Sequence, residues 1–136
     1  MNKMTETTTI KMLEQGRVKF AYDCAKEGNK IQASKEYKAY SKKMLALIKT
    51  NGLGATLAFI MTKSEDDENK KGYAYKLLYN QTKEWLKRDT KKLIELNENE
   101  DLVEKIISLD SSLYRAVTNE VITLFKWISR FADGLK

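Results

Sequence analysis

The sequence predicts an all-α protein: a compact bundle of five to seven helices around a short apolar central helix. Three observations lead there. Apolar residues recur at steps of three and four along most of the chain. No run alternates apolar and polar as a half-buried strand does. Proline is absent, so nothing interrupts long helices. At 136 residues the chain is read as one domain, 1–136. A chain of that size buries roughly two-thirds of its unfolded surface and needs no staples.

Residues 1–8 are polar and threonine-rich and read as a flexible tail. From Thr9 to about Glu27, Ile10, Leu13, Phe20, Ala21 and Cys24 make an apolar row that Arg17 continues. Gly28-Asn29 suits a helix C-terminus, since both residues tolerate the left-handed conformation. A second helix is expected from Ile31 to Thr50, with Ala33, Tyr37, Tyr40, Met44, Leu47 and Ile48 inward. The stretch Asn51 to Thr62 carries no charge in a chain that is 32% charged. Asn51-Gly52 marks the break, with Asn51 placed to cap the next helix. Leu53, Leu57, Ile60 and Met61 form one face of that helix, and Ala55, Ala58 and Phe59 fill much of the other. A helix apolar all round belongs inside a protein, and about ten residues are too few to cross a bilayer.

The charged run from Ser64 to Gly72 reads as a loop. A helix follows from Tyr73 to Arg88, with Ala74, Leu77, Leu78 and Trp85 inward and Tyr75 and Tyr79 on an adjacent face. Lys91 to Leu96 suggests another short helix. Asp101 caps a helix from Leu102 to Leu109, and Asp110-Ser111-Ser112 is a second capping cluster. The last helix, Leu113 to Ala132, is the most regular: Leu113, Val117, Val121, Leu124, Ile128 and Phe131 form its stripe, with Trp127 beside it.

Composition narrows the chemistry. Histidine is absent, which removes the commonest general base and metal ligand together. The single cysteine, Cys24, excludes an internal disulfide, fits a reducing cytoplasm and lies on an apolar row, as a buried structural thiol does. Glu65-Asp66-Asp67-Glu68 lacks the spacing and mid-loop glycine of a calcium loop. Gly52-Leu53-Gly54 opens a helix, but no Gly-Lys-Ser/Thr follows, so this is no nucleotide-hydrolysing loop. No cofactor, metal site or catalytic group is expected, and no membrane segment.

The net charge of +6 is uneven. Residues 1–63 hold 12 Lys/Arg against 5 Asp/Glu, or +7, while residues 64–136 hold 13 against 14, or −1. A basic half favours a polyanion partner; the plain alternative is a lysine-rich solvated surface. The candidate residues for binding RNA or DNA are Lys42, Lys43, Lys49, Lys63, Lys126 and Arg130, with Arg17 as a further member. Lys126 and Arg130 are one turn apart on one helix. No aromatic row lies among the lysines in sequence, so contact with phosphates fits better than base stacking. Glu120 borders the buried stripe of the last helix and needs partners. Its expected role is structural, with a tie to Asn51 or Gly52, or a pair with Arg17.

The order of these features resembles the small subunit of the type III-B CRISPR effector, the Cmr complex. The likeness is carried by Glu36-Tyr37-Lys38, by Lys49-Thr50-Asn51-Gly52-Leu53-Gly54-Ala55-Thr56-Leu57-Ala58-Phe59 and by Lys63. It continues through Leu77-Leu78, Trp85-Leu86, Tyr114-Arg115, Thr118-Asn119-Glu120 and Trp127-Ile128-Ser129-Arg130-Phe131-Ala132. It covers the chain from about Leu13 onward, and the Asn-Gly-Leu-x-x-Thr-Leu-Ala-Phe run is its specific part. One departure is the absence of the proline expected near Ala46. The resemblance implies a non-catalytic, cytoplasmic part of an antiviral RNA-targeting ribonucleoprotein. Its partners would be RNA (the guide–target duplex or the target strand, through the backbone), other Cmr subunits and copies of itself. The alternative is a helical protein-interaction module without nucleic-acid contact.

Overall fold

The computed structural model describes residues 3–88 and 93–135, with side chains from Glu14 onward. Six helices follow one another: α1 (Lys3–Lys30), α2 (Ser34–Asn51), α3 (Leu53–Lys63), α4 (Tyr73–Arg88), α5 (Leu102–Ile107) and α6 (Ser111–Gly134). No strand occurs among the described residues. The all-helical bundle is as the periodicity predicts.

α6 is the helix on which the assembly turns. It buries Val117, Val121, Leu124, Phe125, Ile128 and Ala132, and both α1 and α2 lie along it. Its start is set by Asp110, whose carboxylate accepts a hydrogen bond from the Leu113 N–H at 2.9 Å. Asp101 does the same for α5, accepting from Val103 N–H at 3.1 Å. Both caps are as the sequence predicts.

The junction of α2 and α3 rests on Gly52. Its φ of +91° is a conformation that L side chains rarely adopt. Its N–H closes α2 on the Ile48 carbonyl at 3.0 Å, and its own carbonyl accepts from Thr56 N–H at 3.2 Å and from the Thr56 hydroxyl at 2.8 Å. One residue thus ends one helix and starts the next. Asn51 is the last residue of α2 and is exposed, and no side chain caps α3. The capping role expected of Asn51 therefore falls to the Gly52 backbone.

Several expectations change. α1 begins at Lys3, so the stretch read as a tail is helical from there on; Met1 and Asn2 lie outside the described residues. Gly28 does not end α1, which continues to Lys30. A Cβ on Gly28 would sit 2.2 Å from the Tyr37 ring, so this glycine lets α2 approach α1 closely. Residues 93–96 are not helical, and Lys91 and Lys92 lie outside the described residues. Ile94 and Leu96 are buried with Glu95 exposed between them, an alternation that suits extended chain rather than helix. α3 packs on α2, α4 and α5 and buries Leu53, Thr56, Leu57 and Ile60. Its opposite side, Ala55, Ala58 and Met61, faces solvent. Uniform apolarity hid which face would be covered, because periodicity has nothing to contrast against.

Candidate nucleic-acid interface

Two contacts fix how α6 runs against α2. Near the start of α6, the Tyr114 hydroxyl accepts a hydrogen bond from the Gly54 N–H at 2.9 Å, beside the C-terminus of α2. At its end, Asp133 Oδ2 lies 2.7 Å from Lys42 Nζ, near the middle of α2. The two helices are therefore antiparallel. Lys49 lies seven residues beyond Lys42, and Lys126 lies seven before Asp133, both towards the same end of the pair. Seven residues make almost two full turns, about 10 Å along the axis, and return to the same face. Lys49 and Lys126 thus lie towards the same end of the two helices, and Arg130 lies between Lys126 and Asp133 in sequence. Lys42, Lys49, Lys126 and Arg130 are all exposed. The Arg130 guanidinium sits 5.6 Å from the Trp127 ring centroid, which limits how it projects.

Lys43 and Lys63 belong to a different edge. Lys43 lies about 100° round α2 from Lys42. Its ammonium is 4.9 Å from the Phe59 ring centroid on α3 and 5.9 Å from that of Tyr75 on α4. Lys63 follows Phe59 by one turn of α3. The six surface cations therefore fall into two groups, on either side of α2.

Arg17 leaves the candidate set. Its Nε and Nη2 donate to the two oxygens of Glu120 at 2.8 and 2.9 Å. The Arg17 side chain is 13% exposed and that of Glu120 only 1%. Held bidentate and mostly out of water, this guanidinium presents little to a phosphate. The expected Arg17–Glu120 pair is thus present, whereas the tie from the α2–α3 junction to α6 runs from Gly54 to Tyr114 and does not involve Glu120. Glu120 also accepts from the indole N–H of Trp85 at 3.0 Å, joining α1, α4 and α6 at one carboxylate. By spacing, Trp85 reads only as an inward residue; nothing between positions 85 and 120 signals the contact.

The remaining polar groups have structural tasks. The Tyr37 hydroxyl lies 2.7 Å from Gln81 Oε1 and 3.1 Å from the Cys24 carbonyl, and Gln81 Nε2 donates to that carbonyl and to Glu27. Burial pushes the Cys24 thiol from 9.0 up to about 12, with Glu27 adding to the shift. A thiol so held is no nucleophile near neutral pH. In the acidic loop, Asp66 pairs with Lys76 at 2.6 Å and Asp67 accepts from the Asn69 N–H at 2.9 Å. No group of three or more potential metal ligands occurs among the described residues.

The aromatic residues also differ from expectation. Tyr75, read on a face adjacent to the inward row of α4, is itself buried, and the half-buried Tyr79 donates its hydroxyl to Asp101 at 2.9 Å. Beside Lys43, Tyr40 stacks on Tyr75 with centroids 3.9 Å apart and planes at 7°, and Phe59 meets Tyr75 edge-on at 5.8 Å. The sequence shows no aromatic row among the lysines because these rings come from three helices. Only the Tyr40/Lys43 and Phe59/Lys63 spacings hint at it.

Residues 13–135 match the family described as CRISPR-associated protein (Cas_Cmr5). The chain belongs to the Cmr5 family. The fold agrees: the crystal structure of a CRISPR-associated Cmr5 family protein from Thermus thermophilus superposes with a TM-score of 0.70 at 26% identity. That match covers 90% of this chain and 96% of the other. The resemblance to the small Cmr subunit of type III-B CRISPR systems, carried in sequence by the Asn51–Phe59 run, is thereby borne out. The family match spans all six helices apart from the first ten residues of α1. Among the described residues, no helix of this Cmr5-family chain is long and apolar enough to cross a membrane.

Proposed function

We propose that this Cmr5-family chain is a non-catalytic subunit of a cytoplasmic Cmr ribonucleoprotein and contacts the RNA backbone through the α2–α6 seam. The single observation behind this is that Lys42 and Lys49 on α2 and Lys126 and Arg130 on α6 are all exposed, on two helices joined by the Lys42–Asp133 pair, with Lys42 and Lys49 about 10 Å apart along α2. Cations at such intervals neutralise neighbouring phosphates, and the counterions released make binding steeply dependent on salt. The lack of histidine and the high pKa of Cys24 support a non-catalytic role.

The test is RNA binding by the full chain across a salt series. Replacing Lys49, Lys126 and Arg130 together by alanine is expected to flatten the slope of log K against log salt by about 2 for a single strand, at roughly 0.7 per phosphate. An unchanged slope would sink the assignment of the seam.

A second reading has its own observation. Ile107 is 66% exposed and Met61 is 45% exposed, large apolar groups on α5 and α3. They favour contact with a neighbouring subunit. Loss of co-purification with other Cmr subunits in an Ile107→Ser, Met61→Ser variant, with RNA affinity intact, supports that contact.

A further inference from the structure

The ring cluster beside Lys43 goes beyond contact with phosphates. Phe59 is half-buried near the end of α3, and the Lys43 ammonium lies over one face of its ring at 4.9 Å. A face held by the end of a long, exposed side chain is not packed by the core. Phe59 is braced edge-on by Tyr75, which is buried and stacked in turn on Tyr40. The ring is therefore held in place, with an exposed lysine over one face. Of its neighbours one turn away, Ala55 and Thr62 are short and exposed. Lys63, the next residue on the Phe59 face, is exposed as well.

A planar ligand with a negative charge close to its ring matches this arrangement. We propose that the face of Phe59 beneath Lys43 stacks an unpaired RNA base, with Lys43 swinging off the ring to meet the adjoining phosphate and Lys63 the next one. This rests on the reading of the chain as an RNA-contacting subunit and adds to it: the backbone lies on the α2–α6 seam, and a base is held on the α2–α3 edge. Base stacking on aromatic side chains tolerates any sequence because every base has a π face. An aromatic peptide would also stack, but the +7 charge of residues 1–63 favours a polyanion.

The experiment compares two labelled single strands of equal length by fluorescence anisotropy with the full chain. One is oligoadenylate; the other has the same phosphates and no bases. The wild type is expected to prefer oligoadenylate by about tenfold, within the range for one stacked base. Phe59→Leu should erase the preference, and Phe59→Tyr should keep it, with both variants melting as the wild type does. Equal binding of the two strands by the wild type overturns the stacking site and leaves the backbone seam standing. Preference persisting in Phe59→Leu also overturns it. Binding of neither strand overturns both the stacking site and the backbone reading.

Discussion

α6 is tied to its neighbours by two ion pairs of nearly the same length and very different surroundings. Arg17 on α1 meets Glu120 at 2.8 Å, and Lys42 on α2 meets Asp133 at 2.7 Å. The first pair is 13% and 1% exposed, the second 55% and 47%. In the buried pair, losing either partner leaves a charge that water cannot readily reach, and the Trp85 indole depends on the same carboxylate. In the exposed pair, water replaces either partner readily. Distance therefore says little about what a contact is for. The buried pair locks three helices together. The exposed pair holds Lys42 only loosely.

The largest expected effect is loss of the buried carboxylate. Glu120→Ala should lower unfolding stability by about 3–5 kcal/mol, because it removes the acceptor that the Arg17 guanidinium and the Trp85 N–H share. Chemical denaturation measures this directly. A loss under about 1 kcal/mol would place the pair in the same class as the surface one.

Alkali separates the two regions next. The folded pKa of Cys24 is raised above its ordinary 9.0 to about 12 by burial, and that of Tyr37 is raised by burial as well. Folding favours the protonated forms of these groups, so the unfolded chain binds fewer protons above pH 9.0. Their contribution is complete below that pH and is lost as pH climbs towards about 12. Melting temperature should fall over this range, and that of Cys24→Ala should fall less steeply. At neutral pH, a thiol reagent should label Cys24 slowly in the folded chain and rapidly in urea.

A smaller change sharpens the comparison. Trp85→Phe keeps the apolar bulk beside Phe20, whose ring lies 5.0 Å away, and removes only the indole donor to Glu120. The expected cost is about 1–3 kcal/mol. Smallest of all is the surface pair: a double-mutant cycle between Lys42 and Asp133 should give a coupling under about 1 kcal/mol that vanishes in high salt. The same cycle between Arg17 and Glu120 should exceed that value and survive salt.

Much of the molecule is legible in its residues alone. The bounds of α4, the caps Asp101 and Asp110 and the stripe of α6 follow from local rules that act within one helical turn. The break at Gly52 and the Arg17–Glu120 pair are readable because a glycine after asparagine and a carboxylate beside an apolar stripe each state a need. Other needs go unstated. Gly28 looks like a helix end, and only the Tyr37 ring above it shows why glycine is required. The basic residues, evenly scattered in sequence, divide across α2 because successive residues on a helix lie about 100° apart.

The helical class, most helix positions, the family-marking run and the uneven charge all follow from the order of the residues, since each rests on neighbours within a few positions. Packing decided which face of α3 is covered, that Arg17 is buried while Lys42 is free to exchange, and that Phe59 and Tyr75 stand beside Lys43. Those outcomes depend on how helices far apart in the chain are set against one another. No local spacing records that, because the arrangement is chosen by the whole core at once.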